Sequence, residues 1–330
     1  MKIILMPDHI VDEIEIEEKI FGEDYTIIPI KSNSKQKISD KVWKNCNGIL
    51  LWHHMELDKK IIDKLDNCKV IVRIGVGFDS VDLKSARNKN IIVCNVPDYG
   101  TNDVADHAIG LMLSLSRGIN KYNYEVKYNY NWEWNSAGEL NRISESTIGI
   151  IGFGRIGIAT ALRAKSFGMK VVFFDPYVPD GKDKSLLISR CDTLYDLLEV
   201  SDVVSIHTPL TDETDSMVNR AFLNKMKKSA ILINTARGKI FNFDDVYDAL
   251  KSKAIKAVGT DVLPIEPPQK NHPLIQAWRN DDEIFKDRLI ITPHAAFYNQ
   301  ESFIEMRAKA AKEALRVING KEPKNCVNYG

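Results

Sequence analysis

The stretch Thr147-Ile148-Gly149-Ile150-Ile151-Gly152-Phe153-Gly154-Arg155-Ile156-Gly157 decides the fold of this chain. Its first five residues predict a buried strand, and residues 155–167 predict a helix. Between them, Gly152, Gly154 and Gly157 form the pattern G-x-G-x-x-G. In such a turn the first glycine permits the tight bend, the second lets the backbone approach a pyrophosphate, and the third lets helix and strand pack closely. The stretch therefore predicts a dinucleotide-binding sheet with phosphates at a helix N-terminus.

Short β-branched runs alternate with helix-length polar segments on both sides of this stretch, a pattern that indicates βαβ units and parallel sheets. Five strands are predicted before it, over residues 2–6, 25–30, 48–52, 70–74 and 91–96. Six are predicted from it onward, over residues 147–151, 170–174, 202–208, 230–235, 257–261 and 289–292. The fold class expected is α/β, with two doubly wound parallel-sheet domains.

Three segments lie outside these sheets. Residues 101–120 and 299–319 have the apolar period of long helices, whereas residues 122–134 are crowded with Tyr, Asn and Trp and have no clean period, which predicts a connecting loop. The last helix must pack on an existing domain, and the first is its expected host. This predicts a discontinuous first domain of residues 1–100 and 295–330 around a central dinucleotide-binding domain of residues 101–294.

Composition narrows the classes of partner. Lys plus Arg equals Asp plus Glu at 45 each in 330 residues, and no long basic run appears, so no nucleic-acid partner is expected. The five cysteines include no C-x-x-C pair, which favours a reducing compartment and no zinc site. The sequence has no signal peptide pattern and no run of about 20 apolar residues. We expect a cytoplasmic protein with no membrane contact and no metal.

Asp175 indicates which dinucleotide is bound. It ends the strand after the glycine turn, 18 residues beyond Gly157, where a carboxylate accepts hydrogen bonds from the adenosine ribose hydroxyls. The next residues, 176–178, include no Arg or Lys to meet a 2′-phosphate. The predicted cofactor is NAD, and Phe153, Arg155 and Ile156 complete the turn that holds it.

Arg237, Glu266 and His294 follow three strands of the second sheet, at the edge where open α/β sheets bind ligands. Hydride transfer to a keto acid requires a cation for the carboxylate and carbonyl, an acid for the forming alkoxide, and a carboxylate that keeps this acid charged. Arg binds carboxylates bidentately, and His is the usual proton donor near neutral pH. These three residues are the predicted catalytic set.

A second glycine-rich strand end lies in the first domain, at residues 73–79. The backbone N–H groups around Gly75, Val76 and Gly77 can hold a carboxylate, with Arg73 as a second cation. A simple tight turn is the alternative explanation for the same glycines.

With these motifs together, the chain resembles the D-isomer-specific 2-hydroxyacid dehydrogenases, a family that includes formate, glycerate and phosphoglycerate dehydrogenases. The resemblance covers nearly the whole length and rests on the segments named above and on the helix start at residues 104–106. Within the family the chain resembles the branch of the C-terminal-binding-protein corepressors. That likeness lies in residues 71–75, 94–97, 174–177, 305–307 and 325–328.

The resemblance implies a flavodoxin-like substrate domain, a Rossmann NAD-binding domain and a homodimer formed through the latter. It places Arg73 on the substrate carboxylate, Asp261 on the nicotinamide carboxamide and Phe297 in the pocket, where the corepressors carry Trp. The further cofactor contacts expected are Val76, His207, Thr208, Thr235, Ala236 and His294. The substrate contacts expected are Arg73, Gly75, Val76, Gly77, Arg237 and Phe297.

The predicted activity is the NAD-dependent interconversion of a small 2-keto acid and its D-2-hydroxy acid. Two alternatives remain at this point: a corepressor-like scaffold that senses NAD(H), and a dehydrogenase for a phosphorylated or phosphonate 2-keto acid. Both keep the same glycine turn and the same Arg, Glu and His.

Overall fold

The computed structural model describes residues 1–31 and 38–329, which form two compact units. One unit combines Met1–Gly100 with Tyr298–Gly330, and the other is Thr101–Phe297. The chain therefore returns to the first unit at Tyr298, three residues after position 295, where the sequence predicts the boundary. The difference arises because Ala295 and Ala296 donate their N–H groups to the carboxylate of Asp261, at 2.9 and 2.8 Å, which holds them in the central unit.

The first unit contains a five-stranded parallel sheet in the order β2-β1-β3-β4-β5. Its strands are β1 (Lys2–Met6), β2 (Tyr25–Pro29), β3 (Gly48–Leu51), β4 (Val70–Arg73) and β5 (Ile92–Cys94). Its helices are α1 (Glu15–Phe21), α2 (Asp40–Asn45), α3 (Lys59–Ile62), α4 (Leu83–Asn88) and, from the end of the chain, α13 (Gln300–Ile318). Every residue of β3 and β4 is buried, as expected for central strands covered on both faces. The order is that of flavodoxin-like sheets.

Helix α13 joins the two separated parts of this unit. It packs on β3 and β4, and its Arg307, 1% exposed, forms ion pairs with Glu17 of α1 and with Glu13. The guanidinium Nε lies 2.8 Å from Glu17 Oε1. A buried charge is tolerated only when it is paired and hydrogen-bonded, so this contact specifies where α1 meets α13.

The second unit contains a seven-stranded parallel sheet in the order β12-β11-β10-β9-β6-β7-β8. Its strands are β6 (Thr147–Ile151), β7 (Lys170–Phe174), β8 (Ser189–Arg190), β9 (Val203–Ile206), β10 (Ile231–Asn234), β11 (Ala257–Thr260) and β12 (Leu289–Ile291). Its helices are α5 (Thr101–Arg117), α6 (Ile119–Asn129), α7 (Arg155–Ser166), α8 (Lys182–Leu186), α9 (Leu194–Val200), α10 (Arg220–Lys225), α11 (Phe243–Lys251) and α12 (Pro273–Arg279). From β8 to β11 the strands follow the Rossmann order, and β12 extends it, which confirms the predicted fold class of two doubly wound α/β sheets.

The prediction of a connecting loop over residues 122–134 was wrong for its first part, which is α6. The helix begins after Gly118 and ends at Tyr130, both in the left-handed region with φ of 63° and 50°. None of its residues is buried, so its sequence has no apolar face and hence no helical period. Contacts from its own unit support it instead: Lys286 Nζ lies 3.9 Å from the centre of the Tyr124 ring.

Among residues 1–31 and 38–329, no helix has the length and apolar character needed to cross a bilayer. The cytoplasmic location stays a prediction.

Candidate active site

The glycine turn after β6 has the packing that its sequence predicts. Gly152 has φ of +87°, and a Cβ there would lie 2.7 Å from the carbonyl carbon of His207. A Cβ on Gly157 would lie 2.0 Å from the backbone oxygen of Gly152. A Cβ on Gly154, by contrast, would meet no atom within 4 Å. Two glycines thus allow close backbone packing, while the third borders open space at the start of α7.

Asp175 is joined directly to this turn. Its Oδ2 accepts the N–H of Phe153 at 2.7 Å, and its Oδ1 accepts the N–H of Tyr177 at 2.9 Å. A carboxylate has about four lone-pair sites, so Asp175 can accept two ribose hydroxyls as well. Ile156 and Arg155 lie in the first turn of α7, where the N–H groups of a helix favour a phosphate.

The loop after β9 supplies polar groups that fit a bound cofactor. Desolvation lowers the pKa of His207 to about 3, and its Nε2 lies 2.9 Å from Ser205 Oγ, so this ring is neutral at physiological pH. Two buried hydroxyls, Thr208 Oγ1 in this loop and Thr235 Oγ1 directly after β10, have no hydrogen-bond partner among the described residues. Buried polar groups nearly always have partners, so these two fit hydrogen bonds to a ligand.

Arg237 follows β10 on a turn that two features hold in shape. The side chain of Asn234 accepts the N–H of Ala236 and donates to the carbonyl of Arg237, both at 3.0 Å. A Cβ on Gly238 would lie 1.9 Å from the carbonyl carbon of Leu263, so the turn packs directly on the loop after β11. This contact fixes Arg237 relative to the loop that carries Glu266.

Glu266 and His294 form a hydrogen-bonded pair. His294 Nδ1 lies 2.7 Å from Glu266 Oε2, and Glu266 Oε1 accepts the N–H of Leu263 at 2.8 Å. Burial opposes the charged form of Glu266, but the hydrogen bond with His294 and the charges of His294 and Arg237 outweigh it, so the pKa of Glu266 is lowered. Because Nδ1 is directed at the carboxylate, Nε2 is the ring nitrogen that can exchange a proton with a substrate.

The backbone at His294 is left-handed, with φ of +52°, a conformation that costs a non-glycine residue on the order of 1–3 kcal/mol. Asp261 holds it. The Asp261 carbonyl accepts the His294 N–H at 2.8 Å, and the Asp261 carboxylate accepts the two N–H groups that follow. Asp261 is 1% exposed, so this anchor is shielded from water.

Two further side chains complete this anchor. Thr292 Oγ1 donates to Asp261 Oδ1 at 2.5 Å, and His107 Nε2 lies 2.9 Å from Thr292 Oγ1. The supporting roles of Asn234 and Thr292 were not predicted from the sequence. Only Asn234 carries a local signal, because an Asn at a strand end often caps a turn two residues on.

In the other unit, hydrogen bonds from neighbouring residues also fix the loop after β4. Arg73 is 6% exposed and donates to the carbonyl of Ile74, and Gly75 has φ of +150° beside its guanidinium. Asn95 Nδ2 donates to the Val76 carbonyl at 2.7 Å, and Val96 donates its N–H to the Gly75 carbonyl at 3.0 Å.

The structure thus brings Arg237, Glu266 and His294 together in the central unit, with Phe297 edge-on to the His294 ring at 6.4 Å between centres. The predicted cofactor residues of the glycine turn, Asp175, Thr208 and Thr235 lie in the same unit. Arg73, Gly75, Val76 and Gly77 belong to the other unit. Within the described part of the chain, no three His, Cys, Asp or Glu side chains are arranged to hold a metal ion.

Comparison with known proteins now identifies the family. A model of the NAD-binding domain of D-isomer specific 2-hydroxyacid dehydrogenases matches residues 109–296, more than half of the chain. The chain belongs to this family. Its NAD-binding domain is therefore the central unit built around the glycine turn.

Two curated relatives are each 32% identical to this family member. C-terminal-binding protein 1 of Caenorhabditis elegans matches over 325 residues, 95% of this chain and 43% of that protein. D-3-phosphoglycerate dehydrogenase of Methanocaldococcus jannaschii matches over 295 residues, 89% of this chain and 54% of that enzyme. The chain thus spans about half the length of the curated relatives it matches.

Solved structures are similar over nearly the full length of the chain. A D-lactate dehydrogenase from Aquifex aeolicus, complexed with NAD and lactic acid, is similar with a TM-score of 0.85, 28% identity and 99% of each chain covered. The TT0316 protein of Thermus thermophilus also has a TM-score of 0.85 and 28% identity, covering 99% of this chain and 100% of that one.

The glycine turn generates a first test, in which serine replaces either of two glycines. Gly157→Ser should lower the free energy of unfolding by about 1–3 kcal/mol, because its Cβ meets the Gly152 carbonyl. Gly154→Ser should change it little, since that position is an N-cap in extended conformation with open space, where Ser is favoured. Urea unfolding followed by circular dichroism measures both. Equal losses in the two variants would contradict this packing.

Proposed function

We propose that this protein is an NAD-dependent dehydrogenase that interconverts a small 2-keto acid and its D-2-hydroxy acid by hydride transfer. The observation that carries the proposal is the 2.7 Å hydrogen bond between His294 and Glu266, beside Arg237, at the carboxyl edge of an NAD-binding sheet. A His–carboxylate pair next to an arginine is the set of groups that keto-acid reduction requires.

Each of the three side chains has one role in the proposal. Arg237 binds the substrate carboxylate and polarises the carbonyl, since its planar fork suits both oxygens. His294 Nε2 donates a proton to the forming alkoxide during reduction and accepts it back during oxidation. Glu266 accepts the hydrogen bond from Nδ1 and stabilises the imidazolium.

NADH, when bound, supplies the hydride. The glycine turn and the start of α7 would hold its pyrophosphate, and Asp175 its adenosine ribose, by the geometry described above. The unpartnered hydroxyls of Thr208 and Thr235 would each gain a hydrogen bond. The proposed contacts of Val76, Ala236 and Asp261 with the cofactor stay predictions, as do the substrate contacts of the loop after β4 and of Phe297.

The direct test is NADH oxidation by the purified protein with a panel of 2-keto acids: glyoxylate, hydroxypyruvate, pyruvate, phenylpyruvate, 3-phosphohydroxypyruvate and phosphonopyruvate. We expect turnover with at least one small acid. In Arg237→Ala and His294→Ala, kcat should fall on the order of 10²-fold or more, with the Kd for NADH within about twofold. Arg220→Ala, an exposed arginine of the same unit, serves as the control and should keep full activity.

The outcome of this panel separates the alternatives. Turnover restricted to the phosphoryl or phosphonate acids would favour the phosphorylated substrate. Tight NADH binding with no turnover across the panel would contradict the dehydrogenase and favour a scaffold that senses NAD(H).

The His–Glu pair also predicts a pH effect. Because the pKa of Glu266 is lowered, its carboxylate stays charged as the pH falls through the usual titration range of a glutamate, and the charged hydrogen bond with His294 Nδ1 persists there. Loss of the carboxylate charge removes support for the imidazolium. In Glu266→Gln, the fall in the reductive kcat/KM should therefore begin at lower pH than in the wild type. An unmoved profile with a uniform loss of rate would show that Glu266 acts only in folding.

We also propose that the protein forms a homodimer through the exposed aromatic segment after α6. Tyr130, Trp132 and Trp134 are 91, 86 and 83% exposed, and exposed clusters of large aromatic rings are typical of interfaces. In light scattering, the double variant Trp132→Glu with Trp134→Glu should be a monomer. Leu187→Glu, 81% exposed elsewhere on the unit, should remain dimeric. A monomeric wild type at micromolar concentration would refute the proposal.

A further inference from the structure

Cys94 and Cys326, far apart in sequence, lie opposite each other in the first unit. Cys94 is the last residue of β5, and the segment around Cys326 pairs with that strand in antiparallel fashion. Val327 donates its N–H to the Val93 carbonyl at 2.8 Å, and Asn95 donates its N–H to the Asn325 carbonyl at 3.3 Å. These two hydrogen bonds flank the cysteine pair, which exchanges none itself.

This pairing has a known geometric consequence. In an antiparallel ladder, opposite residues that exchange no hydrogen bond have Cα atoms about 4.5 Å apart and side chains on one face. A disulfide requires Cα atoms roughly 4.4–6.8 Å apart. We propose that Cys94 and Cys326 are a redox modification site, forming a reversible disulfide that fixes the segment around Cys326 to β5.

The two thiols differ in access, which sets the order of the reaction. Cys94 is fully buried, and burial together with the nearby Glu313 carboxylate raises the pKa of its thiol, whereas Cys326 is half-buried. With a small disulfide such as oxidised glutathione, the Cys326 thiolate attacks one sulfur and releases one glutathione thiolate. The Cys94 sulfur then attacks the Cys326 sulfur and releases the second. Two protein thiols lose two electrons and two protons, and both protons go to the released glutathione.

The other cysteines do not compete well for this chemistry. Cys46 and Cys68 contact each other, but both are buried in the core of the first unit. Each thiol donates a hydrogen bond to a backbone carbonyl. Cys191, half-buried, belongs to the other unit. An oxidant of the size of glutathione thus reaches Cys326 more easily than the Cys46–Cys68 pair.

The link would act on the loop after β4. Asn95 contacts both the segment around Cys326 and the loop after β4. Its backbone N–H donates to the Asn325 carbonyl, and its side-chain amide donates to the Val76 carbonyl at 2.7 Å. Fixing the segment to β5 therefore fixes the residue that supports this loop. An effect on substrate affinity rests on the proposed function, whereas formation of the disulfide does not.

The test uses the folded full chain incubated with oxidised glutathione, alkylated, digested and analysed by mass spectrometry. We expect a linked peptide containing Cys94 and Cys326, formed with loss of two hydrogens and reversed by dithiothreitol. Backbone amides of residues 324–329 should exchange with deuterium more slowly in the oxidised protein, on the order of tenfold. Cys326→Ser should abolish both effects, and Cys191→Ser, the control, should keep them.

Glutathione attached to Cys326 without the internal link would overturn the proposal, and so would a Cys46–Cys68 disulfide as the main product. A link that forms only in urea would overturn it too, because the folded strands then do not position the thiols. If the protein is active, the KM for the keto acid should differ between the oxidised and reduced wild type but not in Cys326→Ser. A disulfide that forms without this change in KM would refute only the proposed effect on the loop after β4, and not the formation of the disulfide.

Discussion

The buried carboxylate of Asp261 organises the candidate active site more than any other group. This carboxylate accepts hydrogen bonds from the N–H groups of Ala295 and Ala296 and from the hydroxyl of Thr292. The backbone carbonyl of the same residue accepts the N–H of His294. Four hydrogen bonds thus hold one short segment in a left-handed turn that its sequence would not adopt alone. Because the anchor is 1% exposed, water does not compete for it.

The sheet topology places the loop held by Asp261 beside the loops that carry the other two catalytic candidates. Strands β10, β11 and β12 are neighbours and parallel, so the loops that follow them emerge at one edge. Arg237, Glu266 and His294 each lie on one of these loops. The contact of Gly238 with Leu263 joins the first loop to the second, and the Glu266–His294 hydrogen bond joins the second to the third. The three groups therefore form one rigid arrangement from three separate parts of the sequence.

Most strands of the two sheets and the glycine turn were predictable from the sequence. Buried parallel strands are continuous apolar runs, and the glycines of such a turn have a fixed spacing. The predicted bounds of β1, β6 and β7 coincide with those observed, and the other predicted strands differ by a residue or two at their ends. Strand β8 was missed because two residues carry no pattern, and α6 was missed because a helix with no buried face has no period. The residue types of the candidate site could be read from strand ends. The support by Asn234 follows a local turn pattern, whereas the support by Thr292 could not be predicted, since it depends on contacts with Asp261 and His107, which are distant in sequence.

Hydride transfer can be followed with NADH that carries deuterium at both hydrogen positions of the reactive carbon of the nicotinamide. With an accepted 2-keto acid, we expect one deuterium at C2 of the product, and the product should be entirely the D-2-hydroxy acid. Label lost to water, an L-configured product, or reduction that persists in His294→Ala at the wild-type rate would contradict it.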